Sequence, residues 1–209
     1  MASSSLAEPP PELIADASAV ISLLASGVAR QVLESLPTRL RVIDAVSTEL
    51  ATGTPRGWDT AERLAVLVDA GLAEIVGLDE SSYECFESLV VGAASDTLDD
   101  GEAATIAYAC ATRAGALIDE RKARRICAAR FPSLGIHTTF ALLTSAHVTL
   151  LLGEAATSDA VFNALHVGRM RVPAEDHQRV VALIGIERAC LCASLPVHVR
   201  MVGHDAVPR

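Results

Sequence analysis

The chain has 209 residues, 51% of them hydrophobic and 21% charged, with mean hydropathy +0.37 and only 3% aromatic residues. Apolar content this high with modest charge excludes a chain disordered throughout, and the length suits one domain with a sizeable core. A formal net charge of −9 argues against a general polyanion binder but is compatible with a carboxylate cluster that holds cations.

Short apolar runs alternate with helical stretches. The start, MASSSLAEPPPE, has no basic region ahead of an apolar one, so residues 1–11 are expected to be a disordered leader rather than a signal peptide. ELIA (12–15) reads as a strand ending at Asp16. Helices follow over 18–27, stopped by Gly27, and 28–37, ended by Pro37. Leu40–Val46 is the next strand, after which Ser47, Thr48 and Glu49 open a turn or helix. Residues 52–58 are a Gly/Pro loop carrying Trp58, and Asp59 caps a helix through Ala70. A strand at 73–77, a helix at 83–92, a polar loop at 96–101 and a helix from Glu102 to Arg113 come next. ALID (116–119) is a strand, 120–130 a basic helix, and 135–137 a short strand. Helices are expected over 139–152 and 157–169, then one more to about Cys192, and PVHVRMV (196–202) has strand character. Strands alternating with helices predict an α/β fold: a three-layer α/β/α sandwich around a parallel sheet of about five strands. The longest apolar stretch, 139–152, is shorter than the ~20 residues of a spanning helix, so a soluble, cytoplasmic protein is expected. The five cysteines are scattered without a CxxC pair and fit reduced thiols rather than disulfides or a zinc site.

The acids at strand ends carry the chemistry. Asp16 follows an apolar strand directly, and Asp119 does the same after ALI. Glu49 lies just past the second strand, and Glu102 opens a helix after an acidic loop. If the first and fourth strands are neighbours, these side chains leave the same sheet edge. Carboxylates gathered there repel one another unless cations lie between them. An all-oxygen set suits Mg²⁺ or Mn²⁺ rather than zinc, and such ions activate water against phosphodiesters, the chemistry of metal-dependent nucleases. Taken singly, each acid reads first as a helix cap or a surface acid; two acids that directly end apolar strands are less easily dismissed.

At these residues the chain resembles the PIN-domain superfamily, in a branch related to the VapC toxins of toxin–antitoxin pairs. The matching pieces are LIADASAVISLLASG (13–27), LRVIDAVSTEL (40–50), LDDGEAATIAYACATRAGALIDERKARRICAARF (98–131), IHTTFALLTSA (136–146) and DAVFNALHVGRMRV (159–172). The resemblance implies a domain over 12–173, with 174–209 an extension that has no counterpart. It assigns Asp16, Glu49, Glu102 and Asp119 as catalytic and metal-binding. It gives Ser18, Glu120 and Thr139 supporting roles, Glu120 at a position suited to a second ion or a water. It implies a ribonuclease using Mg²⁺ or Mn²⁺, frequently a homodimer, and an antitoxin as a further partner. The resemblance departs where the family commonly has Gly-Thr-x-Gly, which here reads Thr138-Thr139-Phe140-Ala141. Both glycines, which would admit a close backbone approach, are replaced. Arg121, Lys122, Arg124 and Arg125 are expected to contact RNA phosphates; the alternative is a solvated face with Glu120 paired to Arg124. A non-catalytic binding or regulatory module that keeps the fold is the rival reading. A phosphatase using a first-strand aspartate would need a second acid two residues on, where Ser18 stands.

Overall fold

A computed structural model describes residues 10–52 and 59–201. Trp58, most of the expected leader and the last residue of the expected 196–202 strand lie outside the described residues.

The strands are the short apolar runs. β1 (Glu12–Ala15) buries Leu13, Ile14 and Ala15 almost completely. β2 (Arg39–Ile43), β3 (Ala73–Val76), β4 (Gly115–Leu117) and β5 (Ile136–His137) complete a five-stranded sheet in the order β3-β2-β1-β4-β5, every pairing parallel. Buried on both faces, β1 and β4 are continuous apolar runs rather than alternating ones, as a covered parallel sheet requires. The chain steps from β1 out to β2 and β3, then returns across the sheet to β4. β1 and β4 therefore flank the topological switch point, where open α/β sheets place ligands at the strands' C-terminal ends.

Helices α1 (Ala17–Ala25), α2 (Ala29–Ser35), α3 (Asp44–Thr52) and α4 (Thr60–Asp69) connect β1 to β2 and β2 to β3. α5 (Glu80–Val90), α6 (Asp100–Thr112) and α7 (Arg121–Arg130) serve the crossovers to β4 and β5. Right-handed crossovers put these two sets on opposite faces, which makes the three-layer α/β/α sandwich. α6 packs against β1, β2 and β4 on one side and α5 on the other. Its run Ala103, Ala104, Ala107 and Ala109, all buried, lets two layers approach closely.

Beyond β5 come α8 (Thr139–Leu143), α9 (Ala146–Leu152) and α10 (Glu154–His166), the last packed on α1. α11 (His177–Ile184), α12 (Ile186–Leu191) and α13 (Val197–Arg200) close the described chain. No described helix is long and apolar enough to cross a membrane, and all five cysteines are free.

Several boundaries differ from the sequence reading, and side-chain caps explain most of them. The second strand stops at Ile43 because Asp44 begins α3, an acid favoured in a helix's first turn. Asp79 accepts from the Ser82 amide and starts α5 three residues early. Asp99 accepts from the Glu102 amide at 2.8 Å, so the expected polar loop already ends in helix at Asp100. The helix expected over 139–152 breaks in two because the Ser145 hydroxyl caps Val148. Gly185, at φ +83, splits the last expected helix into α11 and α12. PVHVRMV is not a strand in its described part: Pro196, at φ −58, leads into the helical turn of α13.

Where α10 ends, Gly168 lies against α1. A Cβ there would stand 2.7 Å from Ala25 Cβ, 2.8 Å from the Ala164 carbonyl oxygen and 3.1 Å from Ser22 Cα. Two of these contacts are backbone atoms that cannot swing aside. Gly168→Ala is therefore expected to destabilise the protein by roughly 1–3 kcal/mol, lowering Tm by about 2–4 °C per kcal/mol. An unchanged thermal melt would show that the α1–α10 contact is looser than this geometry.

Candidate metal centre

Asp16 leaves the end of β1 in extended backbone and caps α1, its Oδ1 accepting from the Ala19 amide at 2.7 Å. Ser18 Oγ donates to the same carboxylate, 3.1 Å from each oxygen. Next door, Asp119 follows β4 and its Oδ1 accepts from the Thr139 amide at 2.8 Å, tying β4 to the start of α8. The two strands are in register through Ala15 and Leu117, and the Asp16 amide donates to the Leu117 carbonyl at 3.2 Å. Both aspartates are buried, at 2% and 1% exposure. The first and fourth strands do place them at one edge.

Two charged carboxylates sealed side by side are unfavourable, and the protonation equilibria show it. Burial, then the Asp119 charge, raises the Asp16 carboxyl well above the usual range; Glu102 adds to this, while the Ala19 amide and Ser18 hydroxyl oppose it. Asp119 is pushed up to about 6 by burial, against the pull of the Thr139 amide and the Arg124 guanidinium. The hydroxyls of Thr139 and Ser22 also favour its charged form, by proximity rather than through an aligned bond. Asp119 Oδ2 is buried with no hydrogen-bond partner, and so is the neighbouring Thr139 Oγ1. Hard oxygen donors with lone pairs unspent fit a divalent cation.

Glu102, in the first turn of α6, is raised to about 7 by burial, then by Asp99 and Glu120, with Lys122 opposing. Its charge also reaches Asp16. Glu49 sits inside α3 rather than at its start. Its Oε2 lies 2.9 Å from where a Cβ on Gly101 would stand, and burial followed by Asp99 raises its carboxyl. Asp16, Glu102 and Asp119 are thus electrostatically coupled, whereas Glu49 is linked to Glu102 through their shared neighbour Asp99. Among the described residues, no group of three or more His, Cys, Asp or Glu side chains stands at metal-ligand spacing. Asp99, which caps α6 between the two glutamates, is an acid the strand-end logic overlooked; its place three residues before Glu102 is a visible capping signal.

The surroundings differ from expectation at several residues. Glu120 pairs with Arg171, not Arg124: Arg171 Nη1 lies 3.1 Å from Oε1 and 3.0 Å from Oε2. Lys122 Nζ donates to the Ala94 carbonyl at 2.7 Å, and Arg125 Nη2 to the Ser95 carbonyl at 2.7 Å, so both hold the segment between α5 and α6. Arg124 keeps a buried Nε without a partner, and Arg121 is exposed. The missing glycines have a local explanation. Thr138 has ordinary extended backbone, at φ −112 and ψ 153, and its hydroxyl caps α8 by accepting from Ala141. Nothing in that turn demands a glycine. His137 packs over Gly115 at the start of β4, away from the acids.

The PIN-domain family model DUF3368 matches residues 12–185, most of the chain. The chain belongs to the PIN-domain family. The PIN match runs from β1 through α11, so it takes in all five strands and every acid of the candidate site. PIN domains are typically nucleases and generally use divalent metals. Comparison with curated proteins found no match, and comparison with solved structures found none either.

Proposed function

We propose that this PIN domain is a ribonuclease dependent on Mg²⁺ or Mn²⁺, hydrolysing RNA phosphodiesters with an activated water. The observation that carries the reading is the buried Asp16–Asp119 pair at the switch point, with Asp119 Oδ2 unpartnered. Asp16, Asp119 and Glu102 would hold the cation, Glu49 stands at the margin, and Glu120, paired with Arg171, would take a second ion or a water only by sharing its oxygens with that arginine. When bound, the cation supplies the charge that lowers the pKa of water and offsets negative charge growing on the phosphodiester. The protein's own part is preorganisation. Ser18 and the Ala19 amide orient Asp16, and the Thr139 amide orients Asp119, so neither carboxylate must be ordered during reaction. In the metal-free protein burial and neighbouring acids raise Glu102 to about 7, so binding the cation would displace a proton from its Oε atoms at neutral pH.

The rival, a non-catalytic module, is favoured by one feature: Glu49 lies beside Gly101, and the charge that acts on its carboxyl is that of Asp99 rather than Asp16 or Asp119. One assay separates the two. Purified protein is expected to degrade single-stranded RNA in Mn²⁺ and to stop in EDTA or with Asp16→Asn and Asp119→Asn combined. Degradation undiminished by either change would overturn the metal mechanism, and no degradation in any ion would favour the module. The proposal also takes the cytoplasm as the location and, from the VapC-like branch, a toxin role with an antitoxin protein and a second copy of the chain as partners. Light scattering is expected to give twice the 21.9 kDa chain mass; a monomer mass would count against the dimer.

A further inference from the structure

A nuclease built on a carboxylate cluster must attract a polyanion to a negative centre, and two of the four basic residues expected to do this, Lys122 and Arg125, are engaged elsewhere, while Arg121 is exposed. Lys122 and Arg125 hold backbone carbonyls of Ala94 and Ser95, and Arg130 holds the carbonyl and hydroxyl of Ser88. A different arginine reaches the rim. Arg171 arrives from 51 residues away to meet Glu120, the residue directly after Asp119.

Its delivery is built into the chain. α10 ends at the wedge of Gly168 against α1. Arg169 then takes left-handed backbone, at φ +54, a conformation that a non-glycine residue adopts rarely. Met170 is buried at 1% exposure, and its amide donates to the Ala164 carbonyl at 2.9 Å. With the residue before it anchored in the core, Arg171 is projected outward toward the acids. The side chain is 62% exposed. Only Nη1 is engaged among the described residues, so the Nε–Nη2 edge of the guanidinium is left for a second acceptor. That planar edge matches two oxygens of one phosphate. A surface ion pair alone contributes little to stability, which does not explain the anchoring behind it.

We infer that Arg171 is a substrate-positioning residue, gripping an RNA phosphate with its free edge while Nη1 stays on Glu120 beside the acids. The inference rests on the ribonuclease reading and assigns the side chain that seats the substrate. The test compares Arg171→Gln and Arg171→Lys with the wild type, using a labelled single-stranded RNA oligonucleotide. Arg30→Gln, which loses an ion pair to Glu34 within α2, is the charge-matched control. In EDTA, Arg171→Gln is expected to weaken RNA binding about tenfold, the effect of losing one charged hydrogen-bonding contact. The slope of log K against log salt should fall by about 0.7, one phosphate contact to a single strand. In Mn²⁺, KM should rise about as much while kcat changes little, with Arg171→Lys intermediate and Arg30→Gln like the wild type. If the wild type binds RNA and Arg171→Gln keeps its affinity and salt slope, the inference is overturned, whatever the cleavage result. If Arg171→Gln binds weakly but the wild type does not cleave in Mn²⁺, the ribonuclease reading fails and the phosphate contact stands. A wild type that binds no RNA overturns both.

Discussion

Replacing Asp119 by asparagine is expected to make the metal-free protein more stable at pH 8 and to cut its cleavage of RNA by about two to three orders of magnitude. Asparagine keeps the Oδ1 that accepts the Thr139 amide and removes the charge from the buried, unpartnered Oδ2. The sign follows from linkage. A carboxyl raised from 3.8 to about 6 on folding means that the native state binds protons more tightly than the unfolded chain. Stability is therefore highest below the unfolded value and falls as pH rises through about 4 to 6. Above that window the ionised side chain costs about 3 kcal/mol, taking 1.36 kcal/mol per pH unit. Relief of that penalty should raise Tm at pH 8 by several degrees, at about 2–4 °C per kcal/mol for a chain of this size. At pH 4 the wild type and variant should melt alike. Cleavage should fall by on the order of 10²- to 10³-fold, several kcal/mol of transition-state charge stabilisation at 1.36 kcal/mol per factor of ten. A variant that melts lower than the wild type at pH 8 would show that the Asp119 charge is already compensated within the fold.

The second large effect is the response of the wild type to pH and divalent ions. In EDTA its Tm should fall between pH 5 and pH 8. Asp16, Asp119 and Glu102 all have raised carboxyls, so each sheds a proton that the fold preferred to keep. Mg²⁺ or Mn²⁺ at pH 8 should restore what was lost, because the cation neutralises the charges that deprotonation created. At a hundredfold excess over Kd, the gain is about 2.7 kcal/mol. Lowering the pH should weaken the ion's effect as protons displace it. A melt at pH 8 that ignores both ions up to millimolar concentration would contradict a cation site at these acids, while leaving the fold assignment untouched.

The sheet and the two aspartates were legible in the sequence for a simple reason. A parallel strand buried on both faces is an uninterrupted apolar run, and ELIA and ALI end abruptly at an acid. Helix starts were less legible because a cap competes with periodicity. Asp44, Asp79 and Asp99 each begin or cap a helix earlier than the apolar pattern suggests, and the early start at Asp44 moved Glu49 from a helix start to a helix interior. The contacts of the basic helix were not legible at all. Lys122 and Arg125 bond to carbonyls 28 and 30 residues away, and Arg171 finds Glu120 across a longer span still. Such pairings depend on where loops come to rest, and no local spacing encodes that. PVHVRMV shows the opposite failure: alternating valines imitate a strand, but Pro196 leads into a helical turn.

The central claim is that the Asp16–Asp119 pair holds a divalent cation, and diffraction tests it most directly. Crystals of the wild-type protein soaked in Mn²⁺ should show an anomalous peak about 2.1 Å from Asp119 Oδ2, shared with Asp16 and with Glu102 or its water. Anomalous peaks confined to exposed acids, with Asp119 Oδ2 still unpartnered, would contradict it.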